Sequence, residues 1–281
     1  MRSLKVGLAA MIFFFGINVA EAHHVVGHGG SLSSSFNPYS SQTRPPETFV
    51  DFNFNVDRLD GGLGYVLSYQ TSAEYSVNRR WSFGARVPFL TIREKFLPDT
   101  DGIGDVAASV KFLAGEWPLH RMFLTLGSEV SFPTGNEDKG TGTGDVMFSP
   151  YLTLSKGFRH FSLLTTLGST LAAAGEVHPS VDYSLSLILP VTKGALPVDF
   201  FLSFQGSTAA TSKTFTNGST KAYLRPAFVF HLTSKLLATL GGKFSAVDTL
   251  EVKKGIALSR VSTAPLSDVQ AGFTFDINYS F

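Results

Sequence analysis

The densest run of metal-ligating side chains is His23-His24-Val25-Val26-Gly27-His28-Gly29-Gly30. Imidazole nitrogens suit a borderline metal such as Cu or Zn. If the chain is cleaved after Ala22, the new amine of His23 and its own ring could chelate one ion together. The same run also reads as a tail whose histidines do nothing specific, since no Cys or carboxylate stands beside them. A second group consists of charges that arrive singly among apolar residues. They are Asp51, Asp57, Glu74, Glu129, Asp182, Asp199 and Asp276, with Arg86, Lys111, Arg225 and Lys243. Gathered in one enclosed space, they would either pair with each other or line a polar path for a solute. Isolated charges in a narrow interior are costly, so a structural network is the plainer reading. Both signs occur, and no single-sign ladder argues for strong ion selectivity.

Nucleophilic catalysis finds little support. His120, His160, His178 and His231 are scattered, and none has a Ser in a recognisable nucleophile context. Gly140-Thr141-Gly142-Thr143-Gly144 has no following Lys and no strand-to-helix setting, so it is not a phosphate loop. It reads as a mobile outer loop. The chain is therefore expected not to be an enzyme, with a lipid-modifying barrel hydrolase as the weakest of the functional readings.

The elements that must position these charges are strands. Val50, Phe52, Phe54 and Val56 alternate with Asp51, Asn53, Asn55 and Asp57. Tyr65, Leu67, Tyr69, Ala73, Tyr75 and Val77 then alternate with Ser68, Gln70, Ser72, Glu74 and Ser76. Only a pleated strand sorts such residues onto two faces, because helical spacing would scatter the carboxylates round a cylinder. The pattern recurs down to Val269, Ala271, Phe273, Phe275, Ile277, Tyr279 and Phe281, giving about twelve antiparallel strands. Pro88, Pro150 and Pro226 fall inside strands and predict bulges or strand ends. Short connections (Asn78 to Arg80, Ala114 to Arg121, Lys156 to His160, Thr192 to Pro197, Thr233 to Lys235) alternate with mostly longer ones. The longer set is Thr91 to Asp105, Pro133 to Asp145, Leu171 to Ser180, Gly206 to Thr220 and Ala246 to Asp268. That alternation is the mark of an up-and-down barrel with periplasmic turns and extracellular loops.

Composition agrees. Charged residues are 16% of the 281, aromatics 13%, and Gly contributes 27. A net charge of +1 offers no electrostatic case for nucleic acid as a partner. Arg2 and Lys5, the apolar run Val6 to Ala20 and the small-x-small Ala20-Glu21-Ala22 form a cleavable signal peptide over 1–22. With no Cys anywhere, lipid attachment and disulfides are excluded. Beyond the signal no continuous apolar run reaches the roughly 18 residues of a membrane helix. The expected organisation is a signal peptide, a flexible His/Gly/Ser-rich periplasmic segment over 23–47, and an outer-membrane β-barrel over 48–281. Outward-facing Phe and Tyr on nearly every strand require lipid as solvent, since aqueous surfaces avoid such patches.

Barrels of this kind resemble one another in ending on an aromatic residue with apolar residues at alternating positions before it. Phe273, Phe275, Ile277, Tyr279 and Phe281 fit that signal, which implies the barrel-assembly machinery as a partner. Asp101-Gly-Ile-Gly-Asp-Val106 and Thr141-Gly-Thr-Gly-Asp-Val146 resemble each other, and Phe132-Pro133-Thr134-Gly135 precedes the second. Through these features residues 48 to 281 resemble the MetA-pathway phenol-degradation family of outer-membrane transporters, distantly like the long-chain fatty-acid transporter group. The resemblance implies a porin-like channel or transporter for small hydrophobic or aromatic molecules in a Gram-negative outer membrane. The alternative is a metal-handling accessory protein using the periplasmic histidines. No cofactor is expected beyond Cu or Zn at His23, His24 and His28.

Overall fold

The computed structural model describes residues 44–59, 64–95, 98–173, 179–194, 196–209, 220–248 and 269–281. Its strands are β1 (Phe49–Leu59), β2 (Gly64–Ser76), β3 (Trp81–Glu94), β4 (Thr100–Ile103), β5 (Val106–Trp117), β6 (Met122–Phe132) and β7 (Met147–Gly157). They continue as β8 (Ser162–Ala172), β9 (Ser180–Thr192), β10 (Val198–Ala209), β11 (Thr220–His231), β12 (Leu236–Asp248) and β13 (Val269–Ser280). Strands pair antiparallel around the whole sheet, and β13 pairs with β1 to close it. Both β4 and β5 pair with β3, so they are halves of one wall strand interrupted at Gly104-Asp105. The wall thus has twelve strands, as the alternation predicts.

That interruption has a local cause. Pro88 on β3 has no N–H to give, and its carbonyl accepts a single bond from Gly104 N–H at 2.9 Å. Pro150 and Pro226 behave differently from the expected bulges or ends. Pairing skips from Phe148↔Leu171 to Tyr151↔Gly168 beside Pro150, and from Leu224↔Phe244 to Ala227↔Gly241 beside Pro226, with no change of register at either gap. On the other side both prolines stay paired, with Ser128 and Leu202. A residue's N–H points to one neighbour only, so a proline breaks one ladder and spares the other.

Each strand sorts its side chains as a membrane barrel must. Phe52, Phe83, Phe89, Phe148, Leu185, Phe228 and Phe244 face outward, while Asp51, Gln70, Ser82, Thr153, Ser186 and Thr274 are buried inside. The terminal-strand residues Phe273, Phe275, Ile277, Tyr279 and Phe281 are all on the outer face, at 36–68% exposure. Phe281 N–H also donates to Thr48 O at 3.1 Å, fastening the last residue to the start of the barrel.

The short turns at one end of the barrel are closed by side chains. Asn78 Oδ1 accepts from the N–H groups of Arg80 (2.8 Å) and Trp81 (3.0 Å), and Thr233 Oγ1 accepts from Lys235 and Leu236. Several expected connections are shorter than read, two of them as follows. Within Thr91 to Asp105, β3 runs on to Glu94 and β4 begins at Thr100. Within Ala114 to Arg121, β5 runs on to Trp117, and a 3-10 turn at Pro118–His120 ends on Arg121 at φ 48°. In both cases pairing with a neighbour continues the strand past the point where alternation fades.

Candidate functional site

The barrel interior gathers every lumen candidate read from the sequence. Asp51, Glu74, Lys111, Asp182, Arg225 and Asp276 are at most 3% exposed, and Arg86, Glu129, Asp199 and Lys243 are inward and partly buried. Most find a specific partner. Lys111 Nζ on β5 meets Glu74 Oε1 on β2 at 2.6 Å, Arg86 on β3 meets Glu129 on β6, and Lys243 Nζ on β12 meets Asp57 Oδ2 on β1 at 3.1 Å.

These three pairs share a construction: each reaches over an intervening strand. Lys111 and Glu74 lie across from Ser82 and Gly84 of β3, and Arg86 and Glu129 lie across from Ala107 and Ser109 of β5. Asp57 and Lys243 both face Gly272 of β13. Small residues on the middle strand leave the long side chains room to meet. At Gly272 the requirement is strict, because a Cβ there would stand 2.2 Å from Asp57 Oδ1. A fourth pair joins adjacent strands, His231 Nε2 on β11 and Asp199 Oδ2 on β10, 2.8 Å apart.

At the end of the barrel that carries the short turns, the N-terminal segment comes inside. Arg44 is 8% exposed, donates to Asn278 Oδ1 at 3.0 Å and Ser280 Oγ at 3.2 Å, pairs with Glu47 at 2.9 Å, and lies 5.5 Å from the Phe49 ring centroid. Residues 44–47, expected to belong to a flexible segment, are therefore tied to the inner wall. Asp51 beside them accepts from Ser72 Oγ at 3.2 Å and Asn278 Nδ2 at 3.4 Å.

At the opposite end, loop 133–146 folds back against the wall. Asp105 is its anchor: the carboxylate accepts from Gly135 N–H (3.0 Å), Thr143 N–H (2.8 Å) and Thr143 Oγ1 (2.7 Å). Thr134 Oγ1 donates to Gly104 O and accepts from Val106 N–H, each at 2.9 Å. Backbone meets backbone here, since a Cβ on Gly135 would stand 2.5 Å from Thr141 O and one on Gly142 2.6 Å from Gly135 C. Thr141 is 1% exposed. The glycine-rich run expected to be a mobile loop is instead a fastened knot, because its glycines admit close approach and Asp105 supplies acceptors for its N–H groups. The two resembling Gly-Asp motifs meet in this one structure.

The wall from β7 to β10 is of another kind. Thr153 and Thr166 face each other with oxygens 3.0 Å apart, Ser186 and Ser203 at 2.8 Å, and Ser149 and Thr170 at 3.3 Å. Asp182 is its main charge, accepting from Thr170 Oγ1 at 2.9 Å and Ser180 Oγ at 3.1 Å.

Sequence reasoning missed Arg44, Asp105 and these hydroxyls. The repeated Gly-Asp was the available signal for Asp105; the hydroxyls look like any polar half of an alternating strand. His23, His24, His28 and His178 lie outside the described residues. His120 and His160 stand in short connections, and among the described residues no group of metal-ligating side chains comes together.

The sequence profile of the family described as "Putative MetA-pathway of phenol degradation" matches residues 50–252. The COG4313 outer membrane channel from Pseudomonas putida F1 is similar in structure at a TM-score of 0.56, with 11% identity over 88% of this chain and 100% of that one. A KdgM porin is similar at a TM-score of 0.50, with 6% identity over 82% and 99%. At such identities the likeness is one of fold, the fold of outer-membrane β-barrels. No curated protein matches the chain in sequence.

Proposed function

Because the chain belongs to this phenol-degradation family and has the fold of an outer-membrane barrel, we propose that it is a narrow channel for small apolar or aromatic solutes. It would act in the outer membrane of a Gram-negative bacterium. The observation that carries the proposal is the lumen, a closed wall of twelve strands with fixed obstructions at both ends. Roughly eight strands leave an interior just filled by side chains, and about 16 to 18 leave a wide aqueous channel. Twelve lie between, and Arg44 at one end and the Asp105 knot at the other narrow the passage further. The inner surface also has apolar steps: Leu59, Val66 and Ile92 pack together toward the outside, and Phe201, Ala227, Val229 and Leu237 toward the periplasm. Rings and short alkyl groups find apolar contact there in an otherwise polar interior. The two similar structures are a channel and a porin, which supports the same reading.

The experiment is uptake of an apolar fluorescent naphthylamine by intact cells, paired with planar-bilayer recording. Cells carrying the barrel should take up the dye faster than cells without it, while steady ion conductance stays far below that of a wide porin. Equal uptake in the two strains would reject solute transport, and a large porin-like conductance would reject the narrow passage.

A further inference from the structure

We propose that the short-turn end of the barrel is a basic collar that binds anionic phospholipid headgroups, of the phosphatidylglycerol kind, in the leaflet on that side of the membrane. Such binding needs only the barrel's place in a membrane, whatever the lumen carries.

The short connections carry charge of one sign. Arg79 and Arg80 stand between β2 and β3, and Arg121 stands between β5 and β6. Lys156 and Arg159 follow where β7 gives way to β8, Lys193 after β9 and Lys235 before β12. All are exposed. In the same connections the sole acidic residue is Glu116, and residues 23–43 of the sequence hold no Asp or Glu that could offset the collar. None of these cations forms an ion pair with a described residue. The contrast is Arg93 at the opposite end, held by Asp99 at 3.3 Å and Asp101 at 3.1 Å. A ring of like charges repels itself and gains from any anion that settles among its members.

The neighbours of these cations select a lipid as that anion. Lys156 follows Leu154 on the outer face of β7 and lies opposite Met122 of β6, so its stem leaves the apolar band at the edge. There a lysine can lie along apolar surface and place its ammonium among headgroups. Its Nζ is 5.2 Å from the centroid of Phe158, which stacks on Phe161 at 4.5 Å. Trp81, adjacent to Arg80, packs on Phe112 with ring centroids 4.6 Å apart. Trp117, in the connection that ends at Arg121, lies flat enough on the wall that a Cβ on Gly115 would stand 2.5 Å from its ring. Tryptophans at the rim of a barrel sit at headgroup depth, where one side of the ring meets chains and the other meets water. A water-soluble acidic partner would use the charges and leave the rings idle. A phospholipid meets both with one molecule, its phosphate against Arg or Lys and its chains against the aromatic band.

The two tryptophans of the chain, Trp81 and Trp117, both lie at this end and report on it selectively. The test is quenching of their fluorescence by lipids with brominated chains, in phosphatidylcholine vesicles that hold the full mature barrel. At equal mole fraction, brominated phosphatidylglycerol should quench more than brominated phosphatidylcholine, equivalent to a local enrichment of about threefold. The excess should vanish in about 1 M NaCl, where screening shortens to about 3 Å. Arg79→Gln, Arg80→Gln and Arg121→Gln combined should lose most of the enrichment, while Lys139→Gln in loop 133–146 should keep it all. Folding is read separately from heat-modifiable migration, and Lys156→Gln with Arg159→Gln replaces the triple variant if that one does not fold. Equal quenching by the two lipids in the wild type, undiminished enrichment in the collar variant, or enrichment that survives high salt would overturn the proposal. The channel reading is judged apart from all of these, by dye uptake.

Discussion

The two halves of the inner wall solve the same problem by different chemistry. From β7 to β10 the interior is lined with Ser and Thr, joined directly across neighbouring strands as at Thr153–Thr166 and Ser186–Ser203. From β1 to β6 and from β11 to β13 it is lined with ion pairs, three of which vault over a strand. A hydroxyl is cheap to bury and can act as donor or acceptor toward the residue opposite, so the first wall is satisfied locally. A buried charge must find its opposite or cost several kcal/mol, so the second wall depends on long side chains meeting at a distance. Both obstructions described above also fasten to the charged half: Arg44 to β13, and the knot through Asp105 at the β4–β5 break. The obstructions and the vaulting ion pairs thus belong to the same side of the barrel.

If that division is right, the largest effect should come from leaving a charge alone on the charged wall. Lys111→Ala strands Glu74, both now 2% exposed, and should cost about 3–5 kcal/mol in urea unfolding of the lipid-embedded barrel. Lys111→Met with Glu74→Leu should recover most of that loss. A double variant as unstable as the single would mean that the site is held by shape rather than by charge.

Next in size is the knot. Asp105→Ala removes the acceptor of three hydrogen bonds and should cost about 2 kcal/mol, while opening loop 133–146 to proteases. A loop that stays resistant would show that its close glycine contacts suffice.

The hydroxyl wall should respond weakly and in a compensating way. Thr153→Val leaves Thr166 without its partner and should cost about 1 kcal/mol, whereas replacing both by Val should be nearly neutral. Additive losses in that cycle would break the contrast between the two walls.

Arg44→Ala should matter more for permeability than for stability. It removes a buried side chain's bonds to Asn278 and Ser280 and its pair with Glu47, so unfolding should shift by about 1 kcal/mol. Steady conductance should nevertheless rise, because that end of the barrel loses its internal arm. Unchanged conductance would place the narrowest point elsewhere, with the knot as the next candidate.

Strand number, strand order and the inward position of the lumen candidates, from Asp51 and Glu74 to Asp276, could be read from the chain alone. Alternation of period two is a local consequence of the pleat, and a residue's face is decided by its own strand whatever lies beside it. Even the outward Phe273 to Phe281 series needs no knowledge of partners. What the tertiary structure decided is who meets whom. That Lys111 pairs with Glu74, over Ser82 and Gly84, depends on the register of β2, β3 and β5 together. That Asp57 meets Lys243 depends on the closure of β13 against β1, which unites positions 186 residues apart. Loop 133–146 looked mobile because glycine is permissive in an isolated chain, and only Asp105, brought from another strand, turns that permissiveness into close packing. Faces are set by local sterics, which the sequence carries residue by residue; partners are set by register and closure, which exist only once the sheet has come round on itself.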